Sequence, residues 1–442
     1  MKEIFQNFLN RLAHLDKILV ILIFFFPLLL SISIFLADLF ASISALILII
    51  LLFFQDNRKI FYQIKFEIYY FLIFYFIILL ALFFSFSIKN SFLSSFFYFR
   101  YFLFAISIFY LLIKYPFFCK IIFSSIILAL SLIFLDSLIQ LFLEKNILGY
   151  KIRDDDTIFI TSFFNDEKKL GSYIVRLLPF VLSIFYYLNL NKYNQYILLC
   201  AGLLIFLSSE RTALFLYLVV LLSYIFIFKK KFKTIIIFII FFIILIMSNE
   251  KKTFKFTEYT LQQLGISKTE WNEEHSDKIR YFSKEHEDLA LTGFFIFKNN
   301  YLIGIGTKNF HGSCEFYKKK QNQENKNYLD FTQRNNELTC STHPHNTYLQ
   351  ILSEIGIFGF FMIFTFFLKI VATNIKILFQ KKTDHNKITY YLINLAIIIN
   401  LFPFIPSGNF FNNWLSLIIF YSLGFWLFIN QKNKKKLQNE NN

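Results

Sequence analysis

The chain has 442 residues, 56% of them hydrophobic and 65 of them Phe, with a formal net charge of +16. Such a composition excludes an ordinary soluble protein, because several apolar runs are long enough to cross a hydrocarbon core of roughly 30 Å. The positive charge does not imply nucleic acid, since the lysines gather in short connections and in the tail, where the positive-inside rule accounts for them.

In chain order, residues 1–17 are polar and basic. The apolar run that follows is too long for a signal-peptide core and lacks a small-residue cleavage site, so it reads as an uncleaved first span. About twelve spans are predicted, near residues 18–36, 39–54, 67–87, 92–113, 120–143, 170–190, 195–209, 212–228, 233–248, 346–372, 388–405 and 413–430. With the N-terminus in the cytoplasm, the cytoplasmic connections contain Arg58, Lys59, Lys65, Lys114, Lys120 and Lys192. Later inner connections hold Lys229 to Lys231 and Lys233, then Lys376, Lys381, Lys382 and Lys387. The tail adds Lys432 and Lys434 to Lys436. Every alternation agrees with this orientation. The expected partition is a transmembrane bundle over 1–248 (helices 1–9), a large periplasmic loop over 249–345, helices 10–12 over 346–430, and a basic cytoplasmic tail over 431–442.

Two outer loops are long. The first, near 144–170, carries Asp154-Asp155-Asp156, read as a solvated turn, and returns to the membrane through Phe163-Phe164-Asn165-Asp166. The second holds five of the seven histidines: His275, His286, His311, His343 and His345. Its 289–297 run is predicted as a short amphipathic helix, followed by a tight turn at Ile303-Gly304-Ile305-Gly306. Cys314 and Cys340 also lie there, and in an oxidising compartment they form either a disulfide or two free thiols. No CxxC or HExxH spacing occurs, so no metal site is expected.

That loop ends at Thr342-His343-Pro344-His345-Asn346-Thr347. Pro344 suits a first helical turn, with Thr342 or His343 as cap, which places His345 and Asn346 among unpaired N–H groups at the positive end of a helix. Such a place attracts phosphate and keeps an imidazole neutral, able to accept a proton. Asn346, Gln350, Ser353 and Glu354 then recur at helical spacing, a polar stripe that should face a bundle interior.

Charges inside spans are expensive and point to function by default. Arg100 and Asp136 reach a similar outer-half depth, about 13 Å in at 1.5 Å per residue, and are expected to pair. Arg176 lies just below the outer surface, and Arg211 sits in the outer turn Ser208-Ser209-Glu210-Arg211-Thr212, where Glu210 could simply salt-bridge it. Arg280 is in the large loop. Arg176, Arg211, Arg280 and His345 can therefore meet at the outer boundary, where guanidinium groups suit a diphosphate.

These features together resemble the bacterial O-antigen ligase/O-antigen polymerase superfamily, closest to the ligase. His345-Asn346, nine residues, Gly356, two residues and Gly359 match the ligase spacing. Ser209-Glu210-Arg211-Thr212 is similar to the family's S-x-R-T turn. Arg280, with Gly304-Ile305-Gly306 about two dozen residues later, resembles its loop arginine and Gly-x-Gly, and 161–174 resembles its approach to a mid-chain span.

The resemblance implies an all-α polytopic membrane glycosyltransferase of the GT-C type in the bacterial inner membrane, with both termini cytoplasmic and the active site periplasmic. It implies an undecaprenyl-diphosphate-linked glycan as donor, a lipid A–core sugar as acceptor, and neither metal nor other cofactor. On that reading His345, Arg280 and Arg211 are catalytic. Asn346, Arg176, Gly304, Gly306 and His343 bind substrate. An O-antigen polymerase or a protein O-oligosaccharyltransferase of the same superfamily shares the donor chemistry. A non-enzymatic lipid or solute transporter is the alternative from another class, but the internal repeats and midplane sites common in transporters are not found.

Overall fold

The computed structural model describes residues 13–154, 157–228, 232–248, 250–264, 266, 282–324, 338–380 and 383–441. It is overwhelmingly helical, as expected of apolar sequence that has to satisfy its own backbone N–H and C=O groups. The N-terminal part runs α1 (His14–Ile32), α2 (Ile34–Leu52), α3 (Gln55–Phe61), α4 (Lys65–Phe83), α5 (Ile88–Phe96), α6 (Phe99–Lys114) and α7 (Phe118–Leu143). A two-residue antiparallel ribbon follows, β1 (Arg153–Asp154) and β2 (Ile158–Phe159), with Arg153 opposite Phe159. Then come α8 (Leu170–Tyr187), α9 (Asn194–Ser208), α10 (Arg211–Ile227), α11 (Phe232–Ser248), α12 (Glu250–Gln263), α13 (Lys284–Asn299) and α14 (Phe310–Glu324). The last three are α15 (Thr347–Leu378), α16 (His385–Asn400) and α17 (Asn413–Asn441).

Every interval predicted to span contains a helix. Among the described residues eight helical stretches are long and apolar enough to cross a membrane, and α10 and α11 are shorter apolar helices. With 15 residues α9 is about 22 Å long, less than a hydrocarbon core of roughly 30 Å. The described residues of the 249–345 segment include α12, α13 and α14, and the expected 289–297 helix lies within α13. The basic tail continues α17 instead of leaving it.

Helix α8 is buried along nearly its whole length, between α9 and α16, while α17 packs on α6. Buried amides tie the last three helices together. Asn374 of α15 donates to the Tyr391 carbonyl of α16 (3.1 Å), Asn394 donates to Asn374 (2.9 Å), and the Trp426 indole of α17 donates to Asn394 (2.7 Å). Each buried amide is thereby satisfied from a different helix, which fixes their register.

The expected Arg100–Asp136 pair is not formed. Arg100 forks onto Asp38 of the adjacent α2 at 3.1–3.2 Å, because α6 lies against α2. Asp136 is fully buried under the loop that follows its own helix. It accepts from the Ile147 N–H (2.9 Å), the Ser162 hydroxyl (2.7 Å) and the Asn146 amide (3.2 Å). Three donors from one folded-back loop replace the cation.

A second, smaller apolar cluster forms outside the main core from Leu289, Ile296, Ile305, Phe310, Cys314 and Leu338. Within it Cys314 and Cys340 form a disulfide with a Cα–Cα distance of 5.6 Å. The bond anchors the strand of chain that runs into His343 onto α14.

Candidate active site

The long helix α15 is organised by two irregularities. The first is its start. Asn346 is the cap: its Oδ1 accepts from the N–H groups of Tyr348 (3.0 Å) and Leu349 (3.1 Å), and its amide donates to the Pro403 carbonyl (2.7 Å). The expected cap at Thr342 or His343, with His345 inside the first turn, is therefore corrected: the helix begins three to four residues later. The reason is local. His345 adopts a left-handed φ of 50°, which an α-helix does not continue through, and Asn is among the strongest cap residues.

The second irregularity is Gly356, where φ 74° and ψ −171° break the helix. The carbonyls freed there are taken by the 301–306 turn. Ile305 N–H donates to Ser353 O (3.0 Å) and Gly306 N–H to Glu354 O (2.8 Å), while Ile357 N–H donates back to Tyr301 O (2.9 Å). Gly304 and Gly306 have φ of 77° and 85°. A Cβ at Gly304 would strike the Glu354 backbone, and one at Gly356 would strike the Leu302 carbonyl. Backbone lies directly on backbone, which only glycine permits.

Residues 343–347 are strapped to the α16–α17 connection. Ser407 N–H donates to His345 O (2.8 Å), His343 Nε2 lies 3.2 Å from Ser407 O, and the Thr347 and Ser407 hydroxyls are 2.9 Å apart. Facing a carbonyl, His343 Nε2 has to carry a proton, and Nδ1 accepts from the Thr342 hydroxyl at 2.9 Å. The His345 ring packs against it at a tilt of 38° with centroids 4.1 Å apart, and His286 of α13 meets His345 edge-on at 5.3 Å. Of the three, His345 is the least restrained, its Nε2 lying 3.5 Å from the Ser341 hydroxyl.

These rings open onto a cavity of about 420 Å³ that is also lined by Arg176, Arg211, Glu210 and Lys168. Arg176, Arg211, His343 and His345, chosen from well-separated parts of the sequence, are thus in one place. Asn346 stands beside the cavity as the cap. Gly304 and Gly306 do not line it; they brace α15 ten residues further on. Arg280 lies outside the described residues, as do Asp155, Asp156 and His275.

Glu210 does not pair with Arg211. It turns back onto the N-terminus of α8, accepting from Gly171 N–H (2.6 Å), Ser172 N–H (3.0 Å) and the Ser172 hydroxyl (2.5 Å). Burial pushes its carboxyl up to about 7, opposed by those hydrogen bonds and by Arg176. Freed from Glu210, the Arg211 guanidinium donates to Gln263 of α12 and lies 5.4 Å over the Tyr259 ring. Arg176 is buried; its Nη1 donates to Asn400 O (3.2 Å) and its Nε has no hydrogen-bond partner. Lys168, Arg176 and Arg211 face Glu210 and Glu285, three cations against two carboxylates, so the cavity favours an anion.

Burial lowers all three imidazoles, His343 to about 4 with the nearby His345 ring adding to it. His345 is lowered by burial against a smaller upward pull from Glu285, and His286 by burial and then His345. At neutral pH the cluster is uncharged and can accept a proton. Sequence reading missed His286 and the role of Glu210. The first had no signal beyond the histidine-rich segment, and the second was read as a partner of its chain neighbour.

An all-helical polytopic membrane protein with a cationic, imidazole-lined cavity is the class this architecture defines. Residues 196–364 match the family model described as O-antigen ligase, which supports the resemblance to the O-antigen ligase/polymerase superfamily. The matched stretch runs from α9 into α15 and contains Arg211, His286, Gly304, Gly306, His343 and His345, while Arg176 precedes it. No curated protein matches the chain.

Proposed function

We propose that the protein is an O-antigen ligase, transferring a glycan from undecaprenyl diphosphate to a lipid A–core sugar. The observation that carries this reading is the meeting of Arg176, Arg211, His343 and His345 in one cavity within or beside the family-matched segment. Arg211, joined by Arg280, holds the diphosphate and stabilises the charge that develops on it as it leaves. Arg176, buried with an unpaired Nε, adds fixed positive charge to the same cavity. His345 takes the proton of the acceptor hydroxyl as that oxygen attacks the anomeric carbon, and a single displacement inverts that centre. His343 positions it, because its own ring nitrogens are occupied by Thr342 and Ser407. The cavity opens at the periplasmic side of a bundle of about twelve spans in the inner membrane, with both termini cytoplasmic.

The test is the lipopolysaccharide gel profile of a deletion strain complemented with wild type or His345→Ala, with protein level verified. Bare core with accumulated lipid-linked polymer supports the ligase. Core capped with one repeat unit makes the protein a polymerase. An unchanged profile overturns both. The ligase-type spacing from His345 through Gly359 favours the first outcome over polymerase or protein glycosylation.

A further inference from the structure

A second polar cavity of about 420 Å³ lies on the other side of the α16–α17 connection, bordered by α2, α5 and α6. Its walls carry Arg100, Lys308, Asp38, Ser94, Tyr101 and Asn413. Asp38 is fully used: it accepts from Arg100 in a fork and from the Asn413 amide (3.0 Å). Among the described residues the Lys308 amine has no hydrogen-bond or ion-pair partner. Burial lowers its amine, the Glu354 carboxyl opposes this most, Arg100 adds to the lowering, and Asp38 opposes it least.

The position of Lys308 is enforced. Thr307 on one side is buried against the Ser94 and Ser95 hydroxyls, each at 2.7 Å. Asn309 on the other side donates to Ser87 O (3.2 Å), the Ser91 hydroxyl (2.8 Å) and Ile305 O (2.9 Å). Between these two clamps Lys308 is held at a left-handed φ of 59°. A non-glycine residue keeps such a backbone only when its surroundings impose it. The outer rim, by contrast, is apolar and open: Leu93 is 68% exposed and Phe97 39% exposed, with Phe92 and Phe96 beside them.

We propose that this cavity binds a phosphate-bearing lipid headgroup, with the phosphate on Lys308 and Arg100 and acyl chains along the exposed Leu93–Phe97 edge. The net cationic lining selects an anion, and the apolar rim places the ligand at a lipid boundary. The site is separate from the imidazole cavity, so it stands or falls independently of the transfer reaction. A phosphomonoester glycolipid and an ordinary anionic phospholipid share this chemistry.

The experiment is native mass spectrometry of the full-length protein in detergent, titrated in parallel with lipid A, phosphatidylglycerol or phosphatidylcholine. Wild type, Lys308→Gln and Lys298→Gln are compared, the last as a surface lysine on α13. Preferential retention of an anionic lipid by wild type and Lys298→Gln, reduced about ten-fold in Lys308→Gln, supports the site. Retention of lipid A alone makes the headgroup a phosphomonoester sugar; retention of phosphatidylglycerol as well makes it a general anionic lipid. Equal retention of all three lipids, or an undiminished preference in Lys308→Gln, overturns the proposal.

Discussion

At residue 345 an imidazole sits on a left-handed backbone, its carbonyl pinned by Ser407 and its ring tilted against His343. Burial keeps the His345 pKa below its ordinary 6.5, so the base is ready at neutral pH and fails only when acid protonates it. The acid limb of the rate profile is therefore expected below pH 6.5, and a limb above 6.5 would contradict the assignment. His345→Ala should lower transfer by about 10²- to 10⁴-fold, the usual worth of a general base. His343 makes a stability prediction. Its folded pKa of about 4 lies below the unfolded 6.5, so the unfolded chain binds the extra proton in that window. Its contribution is complete above pH 6.5 and is lost as pH falls toward 4, by about 3 kcal/mol at most. Because Glu210 is raised to about 7 and acts in the opposite sense, the measurement is the difference in thermal stability between wild type and His343→Gln from pH 7 to 4. A difference that does not shrink as the pH falls would refute the buried neutral ring.

At the scale of elements, α15 is two helical pieces joined at Gly356 and splinted by the 301–306 turn. Gly356→Ala meets both a positive φ and the Leu302 backbone, so a loss of about 2 kcal/mol or more is expected, read by thermal unfolding in detergent. A control of Gly408→Ala, where a Cβ meets nothing, should be close to neutral. The Cys314–Cys340 bond acts on the other side of the site, holding the 338–345 approach to α14 across a sequence separation of 26. Reduction or Cys314→Ser is expected to cost about 3 kcal/mol and to lower activity through loss of His343 and His345 placement. Equal thiol labelling of native protein with and without reductant would show that the bond is not made.

For the whole molecule, the expected orientation puts α13 outside and the end of α15 inside. In a background with Cys119 and Cys200 replaced by Ser, Lys298→Cys should react with a membrane-impermeant maleimide in spheroplasts. Lys376→Cys should react only after permeabilisation. The reverse pattern would invert the topology and move the imidazole cavity to the cytoplasmic side. The two cavities lie on either side of one connection, residues 401–412, which contributes Ser407 to one and Phe411 to the other. Gln350 stitches that connection to α15, receiving the Phe410 N–H (2.8 Å) and donating to Asn409 (2.8 Å). The polar stripe Asn346–Gln350–Glu354 therefore faces the bundle interior.

Hydropathy was enough to mark the apolar helices and their order, because lipid admits few alternatives to a helix for an apolar run. Residue type also marked Arg176, Arg211, His343 and His345, since fixed cations and poised bases are costly in such a chain and stand out against it. Spacing alone was not enough for partners. Arg100 met Asp38 and not Asp136, Glu210 left Arg211 for the end of α8, and His286 joined the cluster from an unmarked stretch. The cap at Asn346 and the splint at Gly356 likewise depend on chain segments dozens of residues away. Local sequence determines which groups need a partner; only the packed structure decides which distant group arrives to satisfy them, because a buried donor or charge takes whichever complement packing brings within reach.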